Sequence, residues 1–146
     1  MSRKLKSQGI KLRIRSSVDP RTRQVVFAGL LEFNQRFAKR KQKDFTITAV
    51  DGRRIIGGAI GESKFDWLFV QMLWVDETSR HGGIGSQIMA EVEKLAKRRK
   101  CAGVYLDTFS FQAPKFYAKR GYRRIGTLVG YPCGFAKYWY AKHLTH

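Results

Sequence analysis

One run constrains this chain more than any other. Trp67 to Val75 is apolar at every position but Gln71, and Arg80-His81-Gly82-Gly83-Ile84-Gly85 follows closely. Beyond it, Ile84, Ile88, Val92 and Leu95 recur at helical spacing, with Lys97, Arg98, Arg99 and Lys100 crowding the far end. The first segment predicts a central strand covered on both faces, the last an amphipathic helix whose cations complement its negative pole. A glycine-rich turn between them lets backbone amides approach an anion closely. The helix N-terminus adds unpaired N–H groups and partial positive charge, so a phosphate or diphosphate fits there.

Elsewhere, Ile10, Leu12 and Ile14 alternate with Lys11, Arg13 and Arg15, which predicts a first strand over residues 9–15 with a basic outer face. Asp19-Pro20 is a helix start, and Val26, Leu30, Phe33 and Phe37 carry a helix to about residue 41. The β-rich runs 45–50 and 53–60 flank Asp51-Gly52, a pair suited to a type I′ hairpin. A strand over 104–108, a helix over 113–120 closed by Gly121, and strands over 122–128 and 135–142 complete the chain. With no linker or repeat, residues 1–146 read as a single α/β (α+β) domain.

Composition narrows the function. The chain has 146 residues with 43% hydrophobic content, enough for one ordinary core. No apolar stretch reaches the roughly 18 residues of a membrane span. No secretory leader is readable at the N-terminus, and Cys101 and Cys133 are too few for a disulfide framework, so a reducing, cytoplasmic setting is expected. Cys101, Cys133, His81, His143 and His146 show no metal-ligand spacing, and no metal is assigned. Neither a P-loop nor a G-x-S-x-G elbow occurs. The R-x-x-G-x-G spacing of Arg80, Gly83 and Gly85 also differs from the dinucleotide fingerprint.

That spacing resembles the pyrophosphate loop of the GNAT superfamily of N-acetyltransferases: Gln or Arg, two residues, Gly, one residue, then Gly or Ala. A second part of the family signature follows in order. Tyr105-Leu106-Asp107-Thr108 precedes a stretch in which Ala113, Phe116-Tyr117 and Gly121-Tyr122 resemble the family's N-x-x-A-x-x-L-Y-x-x-x-G-F run. Ser110 stands where that run has Asn. The resemblance covers residues 66–128 by motif and the flanks by element order. It implies a mixed, mostly antiparallel central sheet of about seven strands flanked by helices, in a small bacterial-type enzyme.

It also implies acetyl-coenzyme A as donor. Leu73, Trp74 and Val75 would pair with the pantetheine arm, and Arg80, His81, Gly82, Gly83, Ile84 and Gly85 would hold the diphosphate. Ser110, Ala113 and Phe116 would complete the cofactor contacts. A backbone N–H near Val75 is the natural donor to the oxyanion formed on attack. Tyr117 takes the general-acid position. A tyrosine near pKa ~10 donating to a thiolate of ~8.5 moves a proton uphill, and Lys115, Lys119 or Arg120 could lower the tyrosine if they face it. The acceptor amine needs a base, for which Glu62, Asp66 and Asp107 are candidates.

As acceptor, a small molecule, a peptide or an aminoacyl-tRNA each offers a primary amine. The net charge of +18, of which residues 1–43 hold +11, favours anionic partners such as nucleic acid or the ribosome. A basic nucleic-acid-binding or ribosome-associated module, including a toxin-like acetylase of charged tRNA, is the rival reading. Tyr131, Tyr138, Trp139 and Tyr140 are expected to pack rather than line an acceptor pocket. A homodimer is compatible with the sequence, and a membrane partner is not expected.

Overall fold

The computed structural model describes residues 9–145. Contacts divide the chain at Lys39/Arg40 into two compact units.

In the first unit, α1 (Pro20–Gln35) starts as its residues dictate: Pro20 fills the first turn, and the Asp19 carboxylate accepts from the Thr22 amide at 3.0 Å and the Thr22 hydroxyl at 2.6 Å. These bonds hold the Asp19 carboxyl below its ordinary range. The helix stops at Gln35, six residues short of the expected end, where the Asn34 carbonyl turns to accept from Phe37 and Ala38. The expected strand over 9–15 does not form. Ile10, Leu12 and Ile14 are 95%, 92% and 98% exposed, and an alternating pattern makes a strand only where a neighbour completes its ladder.

The second unit is built on six strands in the order β1-β2-β3-β4-β6-β5, one fewer than expected because residues 9–15 add none. These are β1 (Lys43–Asp51), β2 (Arg54–Lys64), β3 (Trp67–Val75), β4 (Gly103–Phe109), β5 (Arg123–Val129) and β6 (Ala136–His143). All neighbours are antiparallel except β3 and β4. The β1–β2 turn is Gly52-Arg53, one residue later than Asp51-Gly52. Only Gly52 has positive φ, +59°, which suits a type II′ rather than a type I′ turn.

Helix α2 (Ile84–Arg98) lays Ile88, Met89, Val92 and Ala96 on one sheet face, against Leu68, Val70, Val104, Leu106 and Tyr140. Full burial of each large side chain contributes about 1.5–3 kcal/mol. The other face is less covered. There Met72 and Trp74 are 60% and 52% exposed, which corrects the expectation that β3 is covered on both sides. Arg99 does more than complement the negative pole of the helix. Its guanidinium donates to the Lys43 and Asp44 carbonyls and the Ser63 hydroxyl at 2.8–3.0 Å, tying α2 to β1 and β2. A short helix, α3 (Pro114–Lys119), leads into β5. Among the described residues no helix is long and apolar enough to cross a membrane.

Candidate functional site

Two irregularities open the sheet at its centre. The β2–β3 register slips between Ile60 and Gly61, so that Ile60 faces Met72 while Gly61 faces Val70, and Gln71 is the extra residue of a bulge. The parallel β3–β4 pairing runs only from Trp67/Gly103 to Val70/Leu106, although β3 continues to Val75 and β4 to Phe109. Past the bulge the two strands therefore part. The Asp76 amide donates to the Ile56 carbonyl of β2 at 2.7 Å, so alternation along the strand turns the Val75 peptide groups toward the gap. The Val75 carbonyl accepts there from Arg80 Nε at 3.0 Å.

The turn after β3 lies at this opening. Gly83 caps α2 in the left-handed region at φ +80°, and the space where its side chain would project is empty. His81 also has positive φ, +68°. The amides of His81 to Ser86 have no acceptor among the described residues. Six consecutive donors at a helix N-terminus fit the oxygens of a diphosphate. A Cβ built on Gly85 would lie 3.4 Å from the Phe116 ring and 3.8 Å from Val75, so β3, α2 and α3 meet here. Val75, Arg80 to Gly85 and Phe116 are thus brought together, and Leu73 and Trp74 line the same strand end.

Other candidates are placed differently. The Ser110 hydroxyl accepts from the Ala136 amide at 3.0 Å, so it ties the β4–α3 loop to β6. Ala113 caps α3 without a side-chain bond. Glu62 is buried on the face away from α2, held by Gln42 Nε2 and by Lys64 at 3.0 Å. Asp107, on that same face, is the first β4 residue past the last paired one and bonds Lys137 at 3.2 Å. Asp66 is not brought into this group. It occupies the β2–β3 turn at φ +64°, where its carbonyl accepts from Ala102, and the whole of β3 separates it from the glycine turn.

Tyr117 is buried on α3 against Phe116, Tyr122 and Tyr140. Burial, reinforced by the Asp107 charge, pushes its hydroxyl up to about 12. The lowering by Lys115, Lys119 or Arg120 considered from sequence is therefore reversed. Tyr122 is raised as well, by burial and by Glu93, whose carboxylate accepts its hydroxyl at 3.1 Å. Both tyrosines are held neutral more strongly in the folded state than in the unfolded chain. Their contribution is complete below pH ~10 and is lost as pH rises toward the folded values, about 2–3 kcal/mol for Tyr117. Urea midpoints should consequently fall between pH 10 and 12, and Tyr117→Phe should flatten that fall; a pH-independent midpoint would contradict the burial.

Two further groups shape the site without any local signature in the sequence. Gln112 Oε1 accepts from the Phe109 amide at 2.9 Å and the Thr108 hydroxyl at 3.3 Å, shaping the loop below Asp107. Lys137 meets Asp107 only because the β4–β6 register sets Trp139 opposite Asp107 and Lys137 opposite Phe109. Tyr140 is core and Tyr138 packs against it, as expected of aromatic strand residues, whereas Tyr131 is 46% exposed.

Residues 12–122 match the acetyltransferase (GNAT) family. The chain is 37% identical over 91 residues to a blasticidin-S acetyltransferase of Streptomyces morookaense, covering 62% of this chain and 67% of the relative. It is 34% identical over 108 residues to an acetyltransferase of Agrobacterium fabrum strain C58, covering 73% and 79%. The crystal structure of an acetyltransferase from Bacillus cereus superposes with a TM-score of 0.83 at 31% identity, covering 90% of this chain and 98% of the other. The mixed sheet parted at its centre, the glycine turn at its opening and these matches lead to one conclusion: the chain belongs to the GNAT family and is an acetyl-coenzyme A-dependent N-acetyltransferase.

Proposed function

We propose that the chain acetylates a primary amine by direct attack on the thioester, with the donor held in the gap between β3 and β4. One observation carries this reading: pairing ends at Val70/Leu106 while both strands continue, beside a turn whose His81 to Ser86 amides have no acceptor among the described residues. When bound, acetyl-coenzyme A supplies an activated acyl group. The amides of residues 81–86 and the charge of Arg80 would hold its diphosphate, and the free edge of residues 71–75 its amide-bearing arm. The Val75 N–H, turned into the gap, would stabilise negative charge developing on the carbonyl oxygen. Phe116 and Ala113 would line the entrance, whereas Ser110 acts through the loop it ties down.

Of the three carboxylates, Asp107 is the one we assign as base, because it stands at the mouth of the gap. Glu62 faces the same way but lies level with the paired segment, opposite Phe69. Asp66 is at the wrong end. Asp107→Asn is expected to lower kcat/KM about 10²-fold or more in steady-state assays, and an unchanged value would remove Asp107 from the role.

Tyr117 would serve as a hydrogen-bond donor to the departing sulfur. With its hydroxyl near 12, full transfer to a thiolate of pKa ~8.5 is uphill by about 3.5 units, roughly 5 kcal/mol, so the proton stays shared rather than given up. Tyr117→Phe should reduce kcat by ~10²-fold and leave coenzyme A affinity unchanged; equal losses in both would contradict the role.

For the acceptor, the blasticidin-S relative supports screening small-molecule amines first, then peptides and aminoacyl-tRNA. The net charge of +18 favours an acceptor that is anionic or carried on an anionic polymer, including a ribosomal or nucleic-acid partner. Its KM would then rise steeply with salt. An acceptor whose KM ignores salt would restrict the charge to a role outside recognition.

A further inference from the structure

On the sheet face away from α2, Lys137 sits in a box of its own making. Its ammonium bonds Asp107 at 3.2 Å and lies 5.2 Å from the Tyr131 ring, 5.3 Å from Phe109 and 5.6 Å from Trp139. Three aromatic faces hold this primary amine in place beside the carboxylate assigned above as the base. The side chain is only 19% exposed, so the amine is confined rather than free to sweep solvent. Its carboxylate partner is the first β4 residue beyond the last one paired with β3, at the mouth of the gap. Lys64 also faces this side and bonds Glu62 at 3.0 Å, but it pairs with Trp67, at the closed end of the β3–β4 ladder. Lys142, on the other face, is bonded to Glu93 at 3.1 Å.

We infer that Lys137 is an internal acetyl acceptor, so that the protein modifies its own acceptor face when no better amine is bound. This rests on the donor reading above. Asp107 takes one proton from the Lys137 ammonium, and the Nζ lone pair forms the new C–N bond. The C–S bond breaks with its electron pair on sulfur, and the second nitrogen proton neutralises the thiolate. Asp107 then releases its proton to solvent. The product is an acetamide on Lys137 and free coenzyme A. It removes the cation from the aromatic box and leaves Asp107 without its ion pair, so the modified chain would present a different face to an incoming amine.

The test is incubation of the full chain with acetyl-coenzyme A and no added amine, read by intact mass and by peptide sequencing in the mass spectrometer. One acetyl group per chain is expected. Lys137 should be labelled at least about tenfold faster than Lys64, because confinement makes the reaction effectively intramolecular. The fraction labelled per unit time should not depend on protein concentration. Lys137→Arg should abolish this label, and Asp107→Asn should slow it while leaving coenzyme A affinity by calorimetry unchanged. Acetyl groups spread over exposed lysines, or equal labelling of the urea-unfolded chain, would overturn the inference. Calorimetry separates the failures: coenzyme A binding with Lys137 unlabelled overturns this inference alone, whereas absence of binding overturns the donor reading beneath it.

Discussion

Replacing Gly61 by valine is expected to destabilise the 40–146 unit by at least ~3 kcal/mol and to abolish activity with it. A Cβ at this position would lie 1.9 Å from the Phe69 carbonyl oxygen and 2.8 Å from the Phe45 ring. The first contact is with backbone, which cannot rotate away as a side chain would. The place matters for function too. Gly61 sits where the β2–β3 register slips around Gln71, and that bulge lies where β3 parts from β4. Gly82→Ala is the comparison, since its Cβ would meet only the Ser79 carbonyl at 3.8 Å, and its stability should stay within about 0.5 kcal/mol of wild type. Urea denaturation distinguishes the two, and a Gly61→Val protein of normal stability would contradict the tight strand approach.

The second large effect is expected at Gly83. Aspartate there must adopt φ near +80°, a conformation that costs a non-glycine residue about 1–2 kcal/mol, and it would project a carboxylate into the space left open beside the turn amides. Coenzyme A affinity should fall at least ~10²-fold, through repulsion of the diphosphate and occlusion of its donors. Gly83→Asn meets the same left-handed backbone at a similar cost but carries no charge, so it should lose much less. Calorimetry on both variants isolates the electrostatic part. Equal affinities for the two would show that the turn carries no anion.

How much of this was legible beforehand follows from which signals are local. The strand Trp67–Val75, the helix from Ile84 and the glycine turn between them were readable because apolar periodicity and left-handed glycines act within a few residues. Asp19-Pro20 marked its helix start for the same reason. What failed depended on neighbours. Ile10, Leu12 and Ile14 have the alternation of a strand but no pairing, and Phe37 fits the helical pattern beyond a helix that ends at Gln35. Met72 and Trp74 lie on the sheet face opposite α2, which no property of β3 itself encodes.

The same division holds in the candidate site. The glycine turn and Tyr117 were found by motif, yet the sign of the tyrosine shift was not, since it is set by burial against Tyr122 and Tyr140 and by Asp107 on β4. Glu62, Asp66 and Asp107 were indistinguishable as three carboxylates. Strand register separates them: one at the gap, one beside the paired segment, one in the far turn. Lys137 and its aromatic box were invisible because they join residues about thirty positions apart through the β4–β6 ladder.

In the proposed function, amides at the start of α2 bind the diphosphate and so direct the acyl thioester into the gap between β3 and β4. A crystal structure with coenzyme A tests it most directly. The expected result puts phosphate oxygens about 2.7–3.2 Å from amides within residues 81–86, with the thiol between Val75 and Asp107. A diphosphate bound elsewhere, or an empty turn at saturating coenzyme A, would contradict it.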